Sequence, residues 1–429
     1  MIQELKIKNF LSFKDEVRFS FEASNDKFAE DSQVVKIKNT RLLRFAIVYG
    51  YNASGKSNLL NVFKFLSFFW THMPKDLDAK TEVVPFKFDK SSSKEPSCFE
   101  LIFYVQNTKY WYQLELDEHQ VYLEKLSYYK TTQPIMLFER TLKNEQSVIQ
   151  INQNADKISA TAKEMISINC LKNLSFFVAR NQVNVSLPII DAAKDWMRTH
   201  VANIISPYVN LTSYAQRKTS EDKELIRYLV DFLHEADFNI TNISSNVLSM
   251  NLSDEAVKFL TQDDDENDEE SVRERERIKK EKTLKQIQTT FEHTVENNNG
   301  IESYQLDKKY ESTGTIRTFG IETAIYDSIK REAFLPIDEI GTSLHPKLLE
   351  KILFDFLKAH SRSQLLVTTH NDGLMDLVDD LIRKDSIWFT EKDKAGVTDL
   401  YKLTDFRGVN RLSSIREAYR NKRFGATMR

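Results

Sequence analysis

One eight-residue segment near the N-terminus combines the residue types that bind phosphate groups. Gly50-Tyr51-Asn52-Ala53-Ser54-Gly55-Lys56-Ser57 fits the pattern G-x-x-x-x-G-K-[ST] without a gap. In this pattern the lysine reaches the β- and γ-phosphates and the last hydroxyl binds Mg²⁺, so the segment predicts a site for ATP with Mg²⁺. The predicted nucleotide contacts are Gly50, Asn52, Ala53, Ser54, Gly55, Lys56, Ser57 and Asn58.

Two adjacent acids follow an apolar run far downstream. Asp338 and Glu339 come directly after Phe334 to Ile337. We expect Asp338 to bind the magnesium ion with Ser57, and Glu339 to polarise the attacking water. The other interpretation is that these acids only cap a helix or aid solubility. Pro336 is unusual here, because proline is disfavoured in a central strand.

A histidine ends the next apolar run. The β-branched segment Gln364 to Thr369 predicts a buried strand that delivers His370. A single histidine is usually structural. This one follows the Asp338-Glu339 strand by one predicted helix, so it should lie at a neighbouring strand end and could contact the γ-phosphate. The predicted catalytic residues are therefore Lys56, Glu339 and His370.

The elements around these motifs predict an α/β fold. Phe45 to Tyr49 reads as a strand and Leu59 to Phe69 as the helix after the loop, while residues 83–130 alternate as antiparallel strands. Residues 155–295 show helical periods around the acidic run at 263–270. We therefore predict a nucleotide-binding core in two halves, 1–140 and 301–429, interrupted by a helical insertion at 141–300.

Composition argues for a folded chain with no overall attraction for polyanions. The 429 residues include 60 Lys and Arg against 63 Asp and Glu, which gives a net charge of −3. Cys98 and Cys170 offer no disulfide framework. Neither a signal-peptide core nor a membrane span is apparent in the sequence, so a cytoplasmic protein without membrane contact is expected.

Taken together, the motifs carry a resemblance to a known class. The chain resembles the ABC-type ATPase heads of the SMC and recombination-repair class, including the overcoming-lysogenization nuclease ATPases. More narrowly, it is similar to the AAA-type ATPases of bacterial abortive-infection, anti-phage systems. The matching residues lie near both ends of the chain but not in its middle: Ile7-Lys8-Asn9-Phe10, Ser12-Phe13, Asn52 to Asn58, Asp338-Glu339, Ser343-Leu344-His345-Pro346, Thr368-Thr369-His370 and Arg423-Phe424-Gly425-Ala426.

The resemblance implies a composite site shared between two copies of the chain. The segment Glu311 to Thr315 would be the signature motif, with Ser312, Gly314 and Thr315 facing the ATP of the other copy. Ser343 would belong to the D-loop and His370 would be the switch histidine. An ordinary Ser/Gly turn is a rival interpretation of the signature. A homo-oligomer of heads follows, either a dimer or an assembly of dimers, and no Q-loop glutamine can be assigned.

Two biological tasks remain open from the sequence. The favoured one is the ATPase subunit of an anti-phage system, triggered by a phage protein and controlling a separately encoded effector nuclease, since no nuclease-type acidic cluster is apparent. The alternative is a DNA-repair ATPase. Its basis is a basic stretch that could contact DNA or RNA, unless it is only a solvated helix face: Arg407, Arg411, Arg416, Arg420, Lys422 and Arg423. A transporter subunit fits least well.

Overall fold

The computed structural model of the chain describes residues 1–76, 78–236, 239–261, 269–298 and 300–427. The acidic run at 263–270 lies outside these ranges, except that the backbone of its last two residues is described. The chain divides into a larger unit, residues 1–209, 327–342 and 349–429, and a smaller unit, residues 210–326 and 343–348.

Strands and helices occur throughout the described residues. The strands are β1 (Ile2–Lys8), β2 (Val17–Ser20), β3 (Val34–Ile37), β4 (Thr40–Leu43), β5 (Phe45–Tyr49), β6 (Ser97–Val105), β7 (Thr108–Leu116), β8 (Val121–Tyr129), β9 (Pro134–Lys143), β10 (Gln146–Ile151), β11 (Ile240–Asn251), β12 (Thr283–Asn297), β13 (Gly300–Asp307), β14 (Phe334–Ile337), β15 (Gln364–Thr369), β16 (Ile387–Lys392) and β17 (Thr398–Lys402). The helices are α1 (Glu30–Gln33), α2 (Lys56–Thr71), α3 (Ala160–Asn169), α4 (Phe176–Asn181), α5 (Pro188–His200), α6 (Thr212–Glu221), α7 (Lys223–Glu235), α8 (Asp254–Leu260), α9 (Glu269–Glu281), α10 (Thr313–Arg331), α11 (Pro346–Lys358) and α12 (Ile415–Arg420).

A five-stranded sheet organises the functional end of the larger unit. Its strand order is β14-β15-β5-β16-β17. The first four strands are parallel and β17 is antiparallel to β16. All residues of β5, β14 and β15 are buried, as expected for parallel strands covered on both faces. The carboxyl ends of β5, β14 and β15 therefore share one edge, where Gly50, Asp338 and His370 follow them.

Pro336 is accommodated because β14 lies at the edge of this sheet. On its open side runs the extended segment 201–205, which bridges to β14 at two points. The Ile205 N–H donates to the Pro336 carbonyl at 3.0 Å, and the Asp338 N–H donates to the Ile205 carbonyl at 2.8 Å. These bonds fix the backbone where Asp338 leaves the strand.

A seven-stranded antiparallel sheet forms the second layer of the larger unit, in the order β10-β9-β8-β7-β6-β1-β2. It confirms the strands predicted within residues 83–130 and the pairing predicted for the two N-terminal strands. Its apolar face and α2 belong to one core. Trp70 of α2 stacks on Phe177 of α4 with ring centroids 4.1 Å apart, so α4 belongs to this core and not to a separate lobe.

The smaller unit combines helices with a three-stranded antiparallel sheet, β11-β12-β13. The predicted apolar stripe of α7 is buried at Leu225, Leu229, Phe232 and Leu233, and Phe291 of β12 meets Phe319 of α10 edge to face at 5.4 Å. The helical interpretation of residues 155–295 is wrong for β11 and β12. These strands are rich in Ser, Thr and Asn, so their period of two carries little apolar contrast.

The predicted boundaries at 140 and 300 also differ from the unit boundaries at 209 and 326. The reason is that α3, α4 and α5 pack against the seven-stranded sheet, although their sequence looks like the start of a helical insertion. Within the described residues, no helix combines the length and apolarity needed to cross a bilayer.

Candidate nucleotide-binding site

The loop from Gly50 to Gly55 connects the end of β5 to the first turn of α2. Gly55 has a φ of 111°, in the left-handed region that favours glycine. A Cβ at Gly55 would lie 2.5 Å from the Thr398 hydroxyl, and one at Gly50 would lie 2.4 Å from the Ser54 hydroxyl. The packing around the loop therefore leaves no room for a side chain at either glycine, and the backbone turn favours glycine at position 55.

The inner side of this loop is lined with free backbone donors. In the part of the chain that the structure describes, the N–H groups of Ala53, Gly55, Lys56 and Ser57 donate no hydrogen bond to a backbone carbonyl. Lys56 and Ser57 begin α2, so the positive end of the helix dipole adds to these donors. Such a group of N–H donors at a helix N-terminus fits phosphate oxygens.

Lys56 is a buried cation with oxygen partners on two sides. Its side chain is 4% exposed, and Nζ donates to the carbonyls of Gly50 at 2.9 Å and Tyr51 at 3.2 Å. Nζ also lies 3.2 Å from Oε1 of Glu339, whose side chain is 19% exposed. Because a buried charge requires a compensating partner, Glu339 balances Lys56 in this state.

The two acids of the β14 end are held by one hydroxyl of β15. The Thr368 hydroxyl donates to Oδ1 of Asp338 at 2.5 Å and accepts from the Glu339 N–H at 2.9 Å. Glu339 has a φ of 49°, an uncommon value for a residue with a side chain. Thr368 thus fixes the carboxylate of Asp338 and the backbone of Glu339, a role that the sequence did not indicate.

His370 completes the cluster at the end of β15. Its Nδ1 lies 2.7 Å from Oε2 of Glu339, and its ring is 64% exposed. One carboxylate therefore touches both Lys56 and His370. The structure brings together the three residues predicted to be catalytic, with Glu339 at the centre.

A cavity of about 660 Å³ opens over the loop and this cluster. Its lining is made of Asn52, Ala53, Ser54, Gly55, Lys56, Ser57, Asn58, Pro207, Tyr208, Glu339, Thr342, His370 and Lys392. The volume lies in the range of small-molecule sites. Every lining residue belongs to the larger unit.

The sequence interpretation missed Tyr208, Thr342 and Lys392. Tyr208 follows the segment 201–205 and is 96% exposed. Lys392 ends β16, and the Tyr51 hydroxyl accepts from its N–H at 3.1 Å and donates to its carbonyl at 2.7 Å. No motif marks these residues, because only the strand order brings them to the loop. No glutamine is found among the described lining residues, so the Q-loop contact stays unassigned.

A second layer of hydroxyl groups supports the loop from behind. The Ser12 hydroxyl accepts from the Asn58 amide at 2.7 Å and from the Thr398 hydroxyl at 2.8 Å. Thr398 also lies 2.9 Å from the Ser54 carbonyl, and the Ser54 hydroxyl lies 2.7 Å from that of Thr390. Ser12 was singled out only by its motif, whereas the two threonines of β16 and β17 carried no signal.

The residues of the predicted signature and D-loop lie in the smaller unit. The Ser312 hydroxyl accepts from the Thr315 N–H at 3.0 Å at the start of α10. A Cβ added to Gly314 would lie 3.4 Å from the Ser343 carbonyl, so these two residues are neighbours. Ser312, Gly314, Thr315 and Ser343 therefore form one local group, which fits either a helix cap or a signature. Their contact with nucleotide remains a prediction.

The comparison with known families agrees with this geometry. Residues 45–161 and 199–376 match the sequence profile of a family described as "AAA domain, putative AbiEii toxin, Type IV TA system". No curated protein matches the chain.

Three of the solved structures with a similar chain path are SMC heads. The SMC head domain from Thermotoga maritima is 12% identical to this chain, with a TM-score of 0.40. The alignment covers 94% of this chain and 98% of the SMC head chain. An SMC head bound to the C-terminal winged-helix domain of ScpA is 13% identical, with coverage of 98% and 99% and a TM-score of 0.43. An SMC head with an extended coiled coil, bound to the C-terminal domain of ScpA derived from Pyrococcus furiosus, is 12% identical, with coverage of 98% and 98% and a TM-score of 0.38.

At 12–13% identity and TM-scores below 0.5, these structures are distant from the chain. The match to the family profile spans more than half of the chain and includes the phosphate-binding loop, both acids and His370. The chain therefore belongs to this AAA-domain family, whose members are P-loop ATPases.

Proposed function

We propose that the larger unit binds Mg²⁺–ATP in the cavity and hydrolyses it. The observation that carries this proposal is the 3.2 Å contact between Lys56 and Glu339, which are almost 300 residues apart in the chain. This contact lies beside the unbonded backbone N–H groups of the loop. The N–H groups of the loop would bind the phosphate oxygens. Lys56 would exchange part of its contact with Glu339 for the β- and γ-phosphates.

The Ser57 hydroxyl and the Asp338 carboxylate are the protein oxygens proposed to hold the magnesium ion. Magnesium retains several waters and binds phosphate oxygens, so two protein ligands are sufficient. When bound, the ion neutralises charge on the phosphates.

Glu339 is the proposed general base for the attacking water. Its carboxylate accepts from Lys56 on one oxygen and meets His370 on the other. Once Lys56 turns toward the phosphates, Oε1 becomes available to accept a hydrogen bond from water. His370 keeps the other oxygen in place, and its exposed ring can reach the γ-phosphate.

We further propose that each site is completed by a second copy of the chain. Ser312, Gly314, Thr315 and Ser343 would meet the γ-phosphate held by the partner copy. The support is that these residues form one group at the N-terminal turn of α10, where a hydroxyl and backbone donors are close together. A symmetric dimer would then carry two equivalent sites.

Mixing two inactive variants tests the shared site. Lys56→Ala removes the phosphate-binding half and Ser312→Arg blocks the other half, so each variant alone should be inactive. A dimer of one copy of each retains one intact site, and random mixing should restore about a quarter of the wild-type ATPase rate in a two-fold symmetric dimer. The measurement is steady-state phosphate release from the mixture.

The matched control mixes Lys56→Ala with Glu339→Gln. Both substitutions lie in the same half of the site, so this mixture should stay inactive. An active Ser312→Arg protein, or no recovery in the first mixture, would refute the shared site.

At the level of biology we propose that the ATPase is the control subunit of an anti-phage system. The family description, which names a toxin and a toxin–antitoxin system, supports a partnership with a separately encoded effector. The proposed effector is a nuclease, and the proposed trigger is a phage protein. ATP-driven closure of the heads would hold or release the effector.

Infection assays with the neighbouring gene test this proposal. The wild-type pair should lower phage plating efficiency and co-purify, whereas Lys56→Ala should lose protection. Lys64→Ala, an exposed lysine of the same helix, is the control and should protect fully. Full protection by Lys56→Ala would sink the proposal, and salt-sensitive stimulation of the ATPase by DNA would favour the repair alternative.

The basic stretch on which the repair alternative relies is partly neutralised. Arg416 contacts Asp372 and Asp376, and Arg420 contacts Asp372. Fewer positive charges are then available for phosphates than the sequence suggests. These ion pairs therefore favour anti-phage defence over DNA repair as the proposed task.

A further inference from the structure

The C-terminal segment is built into the core beside the nucleotide site. Phe424 and Ala426 are fully buried. Phe424 stacks on Phe389 of β16 with centroids 5.6 Å apart, and the Tyr419 hydroxyl donates to the Ala426 carbonyl at 2.8 Å. These contacts anchor α12 and its continuation on the five-stranded sheet.

From this anchored position α12 holds the segment that follows His370. Asp372 begins a 3₁₀ turn, Asp372–Leu377, two residues beyond His370. Its Oδ1 accepts from Nε of Arg416 at 3.1 Å and from Nη2 of Arg420 at 3.1 Å, and its Oδ2 accepts from Nε of Arg420 at 2.5 Å. Arg416 also donates to Asp376. We call Asp372, Asp376, Arg416 and Arg420 the C-terminal clamp.

The geometry of the clamp distinguishes it from an ordinary surface ion pair. Arg420 binds Asp372 through two nitrogens, and two guanidinium groups share one carboxylate, which favours a fixed arrangement. Partial burial alone would raise the pKa of the Asp372 carboxyl, but the hydrogen bond from Arg420 and the charge of Arg416 outweigh it and lower the pKa. Asp372 therefore stays ionised and bound at neutral pH.

The connection from Asp372 to His370 is short and locally ordered. The Asn371 N–H donates to the Thr369 hydroxyl at 3.0 Å, and the Asn371 amide oxygen accepts from the Gly373 N–H at 2.9 Å. These bonds leave little slack between the end of β15 and the clamp. We therefore expect a displacement of Asp372 to shift the backbone of His370, two residues earlier in the chain.

The same helix also touches the strand that carries the phosphate-binding loop. Tyr49, the last residue of β5, is buried, and its ring lies 6.1 Å from that of Tyr419. Tyr419 lies between Arg416 and Arg420 in α12. One turn of helix therefore packs on the strand before Gly50 and at the same time fixes the segment after His370.

We propose that Asp372, Arg416 and Arg420 are positioning residues for ATP hydrolysis, which act by holding His370 against Glu339. The proposal rests on the proposed role of His370 at the γ-phosphate. It assigns the clamp no part in nucleotide binding, because none of its members lines the cavity. Loss of the clamp should therefore slow hydrolysis and leave ATP bound.

A cycle of variants tests the clamp. Asp372→Asn and Arg420→Gln should each lower kcat about tenfold, an effect expected for a catalytic group displaced by less than 1 Å. The Kd for the slowly hydrolysed analogue ATPγS should change less than twofold. In a His370→Ala background, Asp372→Asn should cause no further loss, because the clamp acts through His370. Arg411→Gln, another exposed C-terminal arginine, is the control and should match the wild type.

The outcomes distinguish a failure of the clamp proposal from a failure of the proposed role of His370. If His370→Ala leaves kcat unchanged, the role of His370 is wrong. If His370→Ala lowers kcat but Asp372→Asn does not, or if the two losses multiply, the clamp is wrong. Arg420→Lys keeps the charge and loses the two-nitrogen contact, so it should show a partial loss of kcat even if Asp372→Asn fails to fold. Wild-type kcat in Arg420→Lys would also overturn the proposal.

Discussion

Lys56→Ala is expected to weaken ATP binding by about 30-fold to several thousand-fold. The substitution removes the proposed charge pair between Lys56 and the phosphates, and truncating one member of a buried, hydrogen-bonded charge pair costs roughly 2–5 kcal/mol. Lys56 is the buried cation of the loop, and its removal also leaves Glu339 without its partner. The unbalanced carboxylate would repel the γ-phosphate. Isothermal titration with ATPγS and Mg²⁺ measures the change.

Lys64→Ala provides the matched control for that measurement. Lys64 lies on the same helix, two turns beyond Lys56, and is exposed. It should bind ATPγS as the wild type does. Wild-type affinity in Lys56→Ala, with the fold intact by circular dichroism, would contradict the assignment of the phosphate site.

Glu339→Gln is expected to have the opposite signature, with ATP bound and hydrolysis lost. Glutamine keeps the shape and an oxygen acceptor but cannot take a proton, so kcat should fall about 10²- to 10⁴-fold, the usual contribution of a general base. The Kd for ATP should stay within a few-fold of the wild type. Single-turnover hydrolysis and equilibrium binding separate the two quantities.

A second consequence of Glu339→Gln concerns assembly. If two copies close over bound ATP, the variant should accumulate a closed dimer with ATP during size-exclusion chromatography. Glu350→Gln, an exposed acid on α11, should hydrolyse ATP normally and form no trapped species. Near-normal kcat in Glu339→Gln would remove Glu339 from the chemistry.

The contrast between the two variants is more informative than either alone. Lys56 and Glu339 touch each other, so a purely structural ion pair would make both substitutions fail in the same way. Separate phenotypes, one in binding and one in kcat, are expected only if each residue meets a different part of the same ligand.

The sequence predicted the parts of the site that depend on local patterns. The loop between β5 and α2 is contiguous, and its glycines and lysine have fixed spacing, so it needed no tertiary information. Asp338 and His370 were predicted because each directly follows an apolar or β-branched run, and the structure shows these runs as buried strands that end at the same sheet edge. Because the carboxyl ends of parallel strands lie at the same edge of a sheet, the order of these runs in the sequence was enough to predict that the residues after them are close together.

The supporting residues could not be predicted because their partners are distant in the chain. Thr398 lies 344 residues from Ser54, whose carbonyl it contacts, and nothing near Thr398 marks it. Arg416 and Arg420 illustrate the same limit. Their charges suggested phosphate binding, whereas the fold places them on Asp372, 44 and 48 residues away.

The weak alternation of apolar and polar residues explains why the sequence of β11 and β12 was interpreted as helical. In β12, Ile287, Thr289 and Phe291 recur at a spacing of two, but Thr289 is polar and still fully buried, because its hydroxyl bonds with Ser245 at 2.8 Å. A buried threonine of this kind hides the strand period from a reading based on apolar residues.

Hydrogen exchange tests most directly whether segments from both ends of the larger unit bind one nucleotide. Titration of the wild-type protein with ATPγS and Mg²⁺ should slow amide exchange in residues 50–58 and in residues 338–342 and 370–371, with one shared midpoint concentration. Protection confined to one segment, or different midpoints for the two, would contradict a single site between Lys56 and Glu339.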